Sequence, residues 1–160
     1  AEKAVDLIVN NLVETYHHPS DLDRRELMAQ GSLFAGLAFS NTGTTSCHSI
    51  SYPLTSHFGV SHGLAVALTL PSMLIFNAPA INDKVACLGR IFGVKSVGDL
   101  AKTFTKIMRD MHLPTRLSEF NIQEKDIPTI LDNSFTPERM TNNPREVKRA
   151  DLEKILLGLL

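Results

Sequence analysis

Three of the six histidines fall within fifteen residues, at His48, His57 and His62, in the window Phe39 to Gly63 that reads FSNTGTTSCHSISYPLTSHFGVSHG. Imidazole ligates divalent metals as a neutral base and changes charge near neutral pH, so the chemistry such a cluster could do is metal binding or proton transfer. If Thr44 to Thr55 is helical, His48 and Tyr52 stand at i and i+4 and share a face. Cys47 then points elsewhere, because adjacent side chains diverge by about 100°. Pro53 forfeits a backbone hydrogen bond and predicts a kink. The turn from Phe58 to Ser61 brings the chain back and sets His62 at the mouth of the next helix. Two imidazoles with thirteen residues between them across such a turn can converge on one ion, and zinc, ferrous iron and nickel suit nitrogen donors. Gly63 leaves room beside His62. The same spacing also fits a helix–turn–helix with one hydrogen-bonded histidine on each arm. Two ligands fall short of the three protein groups usual in a catalytic site, and the window contains no Asp or Glu.

The elements that must hold this window are helical in period or punctuation. Ala4, Val5, Leu7, Ile8, Leu12 and Val13 recur with helical spacing from the first residues, with no Met and no lead-in loop, which is the expectation for a fragment of a larger protein. Ser20 with Asp23 resembles a capping box for a helix to about Ser40, stopped at Asn41-Thr42-Gly43. Gly31, Ser32, Ala35 and Gly36 give it a small-residue face for close backbone approach. Thr44-Thr45 starts the next helix, ending near His57-Phe58-Gly59, and Ser61 caps the apolar one that follows. Asn82-Asp83 opens a short helix to Gly93, and Ser96-x-x-Asp99 caps another that ends at Leu113-Pro114. Thr136-Pro137 marks one more start, with Pro at the first helical position. Leu152, Ile155, Leu156 and Leu159 form an i, i+3, i+4, i+7 stripe that should dock the C-terminus. No alternating strand, repeat or linker stands out, so one all-α domain over residues 1–160 is expected.

Composition bounds the partners. With 160 residues, 43% hydrophobic and 21% charged, the chain can build a real core, and a formal net charge of −1 provides no overall basic field for nucleic acid or an anionic membrane. The apolar run Leu64 to Phe76 stops short of roughly 18 residues and carries Pro71, so it reads as a core helix. Cys47 and Cys87 fit neither a disulfide framework nor a Cys-x-x-Cys metal site and read as buried free thiols. With no signal or lipidation pattern, cytoplasm is the expected location. His17-His18 with Asp21 and Asp23 sits in a Pro- and Ser-broken turn and reads as solvated loop, and Lys102, Lys106 and Arg109 as an ordinary exposed face.

The run AGLAFSNTGTTSCHSISYPL, Ala35 to Leu54, followed by a turn and His62-Gly63, resembles the iron-containing alcohol dehydrogenases. The likeness continues through Leu64 to Pro71 and returns at Asn142-Asn143-Pro144-Arg145. Two metal-binding histidines of that family fall on His48 and His62 with the same spacing. The resemblance implies the helical C-terminal half of a dehydroquinate-synthase-like fold, and for an intact enzyme hydride exchange between NAD(P)H and an alcohol or aldehyde. The implied metal is divalent, ferrous iron in most members and zinc as the alternative, polarising the carbonyl or alkoxide oxygen.

Two departures from the pattern stand out. The family's other two metal ligands, an Asp and a His four residues apart, have no counterpart here, nor has its glycine-rich nucleotide-binding half, so a missing N-terminal domain is expected. Tyr52 stands where many members place a further histidine; it can donate a hydrogen bond, but a phenol's ordinary pKa near 10 makes it a poor base. Phe39 aligns with an aromatic of the nicotinamide and substrate pocket. His57, in the wording SYPLTSHFGVSHG, looks like a branch acting on anionic, phosphonate-bearing substrates and would face such an anion. By this reading the isolated chain is inactive and prone to self-association as a homo-oligomer. The reading from another class is a stand-alone helical binding or scaffold module with structural histidines.

Overall fold

The computed structural model describes all 160 residues: nine α-helices, three short 3₁₀ turns and no strand. The all-helical expectation is thus met. Its contacts group into two compact units, Ala1–Gly43 with Asp83–Leu113, and Thr44–Asn82 with Pro114–Leu160.

The first unit contains α1 (Glu2–His17), α2 (Leu22–Thr42), α5 (Asn82–Phe92, bar its first residue) and α6 (Val97–Asp110). α1 packs on α2 through the small-residue face: a Cβ added at Gly31 would lie 2.8 Å from Ile8 Cγ1, whereas one at Gly36 would meet nothing. Only part of the predicted stripe is therefore a close approach. α2 is capped by Asp21, whose carboxylate accepts from Arg24 N–H at 3.1 Å, rather than by Ser20, because the helix starts one residue later than a Ser20 box requires. Ser96 caps α6 as predicted, accepting from Asp99 N–H. α6 ends at Asp110 instead of Leu113, where His112 takes a left-handed φ of 55° that no helix continues through. His17 closes α1 and its Nε2 lies 2.9 Å from the Asp110 carbonyl, so it is a structural tie.

The second unit carries the histidine window. α3 (Ser46–Phe58) packs against α4 (His62–Asn77), α7 (Ile127–Ser134) and α8 (Pro137–Thr141), and α9 (Arg149–Leu157) packs on α4 and α7. Ile50, Leu54, Leu68, Met73, Ile130, Leu131, Leu152 and Leu156 are almost fully buried in this unit, so both the predicted core helix and the C-terminal stripe dock as expected. With the 3₁₀ turn after it, α4 extends the apolar run to His62–Ala80, 19 residues, long and apolar enough to cross a membrane by length and composition alone. The run thus continues past Phe76, where the apolar sequence alone ends. Here it serves as a core helix, burying Ala65, Leu68, Thr69, Met73, Leu74 and Asn77. α7 lies outside the expected helices, yet Ile127, Ile130, Leu131 and Ser134 repeat at i, i+3, i+4, i+7 and are all buried.

Candidate metal centre

α3 begins after Thr45 and ends at Gly59, whose φ of 69° is the left-handed conformation that glycine adopts without penalty. Val60 N–H then donates to the Leu54 carbonyl at 3.2 Å and its side chain is fully buried, which folds the three-residue link back along α3. α4 therefore starts beside the middle of α3 rather than beyond its end. Ser61 occupies the N-cap position, as predicted, but its side chain makes no capping hydrogen bond.

This fold-back brings His48 and His62 together: their ring centroids are 5.5 Å apart with the planes inclined at 59°. Two imidazoles bound to one ion at roughly 2.0–2.1 Å per bond need centroids no more than about 6.5 Å apart, so the pair is within reach of a shared ion. Tyr52 joins them, its ring centroid 6.0 Å from that of His62. A Cβ at Gly63 would meet nothing within 4 Å, so this glycine relieves no crowding from within the chain.

Protonation suits ligation. Partial burial holds the His48 pKa below the ordinary imidazole value, helped by the positive charge of His62 and Arg139. Its neutral, metal-binding form thus dominates at neutral pH. Ser51 sets the tautomer of His62: its hydroxyl donates to the His48 carbonyl at 2.7 Å, leaving an oxygen lone pair to accept from His62 Nδ1–H at 3.2 Å. His62 Nε2 is then the free lone pair, the arrangement in which the second ring nitrogen of a metal-binding histidine is usually held. Two imidazoles remain the extent of the cluster, as no group of three or more His, Cys, Asp or Glu side chains converges anywhere in the chain. The donor set fits half of a divalent metal shell.

Other expected residues lie elsewhere. His57 is exposed in the last turn of α3, against the Phe58 ring, about 14 Å along the helix axis from His48. Phe39 is 54% exposed on α2 in the first unit. Cys47 is buried, with its thiol pushed up to about 11 by burial, and is inert at neutral pH. Cys87 is half-exposed rather than buried, because it lies on α5, none of whose residues is buried.

Two residues escaped the sequence reading. Ser51 was legible as i+3 from His48. Arg139 was not, because α8 is remote in sequence: its guanidinium carbon lies 4.8 Å from the Tyr52 ring centroid.

Relatives share both the sequence pattern and the fold. Lactaldehyde reductase of Escherichia coli (strain K12) is 28% identical over 161 residues, covering 96% of this chain and 42% of the relative. Sulfoacetaldehyde reductase of Bilophila wadsworthia is 28% identical over 165 residues, covering 96% and 43%. The crystal structure of sulfoacetaldehyde reductase from Bifidobacterium kashiwanohense in complex with NAD+ superposes with a TM-score of 0.91 at 31% identity, over 99% of this chain and 42% of that one. The chain spans less than half the length of these relatives. The family model described as "Fe-containing alcohol dehydrogenase family, C-terminal" matches residues 1–160, and the chain belongs to that family.

Proposed function

We propose that this chain is the metal-holding helical part of an NAD(P)-dependent alcohol dehydrogenase or aldehyde reductase, in which hydride passes between the nicotinamide and a small alcohol or aldehyde. The observation that carries the reading is the His48–His62 pair, 5.5 Å between ring centroids, with Ser51 leaving Nε2 of His62 free. These two rings would fill two positions of a divalent ion's shell, iron by the family's name and zinc as the alternative. An ion held there supplies a Lewis acid for the substrate oxygen.

The chain's own side chains do the rest. Burial and neighbouring positive charge keep His48 unprotonated, so it is a donor at neutral pH without first losing a proton. Ser51 orients His62. Tyr52, beside the pair and 42% exposed, offers a phenolic O–H to a substrate oxygen and acts as donor rather than base.

The test is metal analysis and steady-state turnover of the full-length protein. His48→Ala and His62→Ala should each lower metal occupancy and rate together, and Ser51→Ala should weaken metal affinity roughly tenfold or more by freeing the His62 tautomer. Full metal content and full rate in both histidine variants would leave the pair structural and favour a helical binding module instead.

A further inference from the structure

Arg139 is a cation without an ion-pair partner in the chain. The ion pairs of the molecule are His18–Glu14, Arg24–Asp21, Lys102–Asp99, Lys106–Asp110 and Arg149–Asp132, and Arg139 is in none of them. Its Nε is buried and meets no hydrogen-bond partner, the one such side-chain atom in the protein. A buried guanidinium N–H without an acceptor costs on the order of 1–3 kcal/mol or more, so its retention calls for an explanation.

The position is held firmly. Thr136 N–H, at the start of α8, donates to Ser49 Oγ at 3.0 Å, and the Ser49 hydroxyl donates to the Ser134 carbonyl. Beyond the helix, Asn142 Nδ2 donates to the Thr44 carbonyl at 3.0 Å, and buried Asn143 accepts from Ser46 Oγ at 2.8 Å. A five-residue helix is thus pinned to α3 at both ends, and Arg139 is carried over the face of Tyr52, beside the two imidazoles, where its charge reaches His48. Stacking on Tyr52 offsets part of the cost but satisfies no N–H.

We propose that Arg139 is the substrate-binding residue for an oxyanion (a carboxylate, sulfonate or phosphonate) carried by the aldehyde or alcohol. The inference rests on the function proposed above and deepens it by naming the substrate class. A planar fork of N–H donors pairs with such a group in two-point fashion, and the unmatched positive charge favours an anionic ligand over a neutral one. A further divalent cation at the histidine pair would sharpen that preference, since it adds charge of the same sign as Arg139.

Two measurements on the full-length protein test this. In the first, kcat/KM is measured for sulfoacetaldehyde, phosphonoacetaldehyde and glyoxylate against propionaldehyde. The wild type should favour the anionic aldehydes, and Arg139→Gln should reduce that preference roughly 10- to 100-fold, with Arg139→Lys recovering it only in part. Arg149→Gln, which removes an exposed arginine of the same unit, should keep the preference. In the second, methanesulfonate is titrated calorimetrically into metal-free protein, and its binding should be present in wild type and lost in Arg139→Gln. No preference for anionic aldehydes in the wild type, an equal loss on charged and neutral aldehydes, or unaltered methanesulfonate binding in Arg139→Gln would each overturn the assignment. If instead His48→Ala and His62→Ala keep full metal and rate, the proposed function fails, while loss of methanesulfonate binding in Arg139→Gln would still locate an oxyanion site at this residue.

Discussion

At the scale of single residues, two environments on the same helix set opposite chemistry. His48 is kept neutral by burial and by positive neighbours and remains a donor, whereas Cys47, one position earlier, is turned into the core and loses its nucleophilic form. The thiol has a consequence for stability. Its folded pKa, raised to about 11 from 9.0, means that the unfolded chain releases the proton first as pH rises. The stabilisation is therefore complete below pH 9 and is lost as the pH climbs through about 11. Two pH units correspond to about 2–3 kcal/mol. Denaturant unfolding at pH 8 and pH 10.5 should show this loss in wild type and a shallower one in Cys47→Ala; equal slopes would place the thiol in contact with water.

At the scale of elements, the site depends on polar ties between helices as much as on apolar packing. Asn143 accepts from Ser46 Oγ of α3 and from Asn77 Nδ2 of α4 at 3.1 Å, and donates to Asn77 Oδ1 at 2.7 Å and to the Arg145 carbonyl at 2.6 Å. One buried amide thereby fixes three segments. Replacing it by Ala leaves Ser46 and Asn77 each without a partner in the core, at a cost of roughly 2–4 kcal/mol. Asn143→Ala should lower the thermal midpoint followed by circular dichroism and, by loosening the chain after α8, also weaken methanesulfonate binding. A midpoint within a degree of wild type would mean that water replaces the lost bonds. The sequence motif Asn142-Asn143-Pro144-Arg145 was recognisable only by resemblance; its physical role became clear once α3 and α4 were seen to share its amide.

At the scale of the whole molecule, the 160 residues bring two nitrogen donors together and contain no glycine-rich turn of the kind that cradles a dinucleotide's phosphates. They also expose large apolar side chains on α2, among them Leu33 at 60%, Leu37 at 58% and Phe39 at 54%. Leu33 and Leu37, at i and i+4, share one face, and such exposed apolar surface favours association. The 160-residue chain expressed alone should therefore show no NAD(P)H-dependent aldehyde turnover and should sediment as dimers or larger species at high concentration. Turnover by the isolated chain, or a clean monomer throughout the concentration range, would contradict these expectations.

Local physics was legible in the sequence alone. Helical period, the Ser96 cap, the Gly59 stop and the apolar run after His62 are encoded within a few residues of one another, and so is the convergence of two histidines across a short turn. Boundaries that turn on one residue lie beyond local pattern: Asp21 rather than Ser20 caps α2 because neighbouring polar residues compete for the role, and α6 ends early because His112 adopts a left-handed φ. Only the tertiary structure decided which side chains complete the site. Ser51 selects the nitrogen that His62 leaves free, and Arg139 comes over Tyr52 because α8 is pinned to α3 by Ser49 and Asn143, contacts between segments far apart in sequence that no local pattern records.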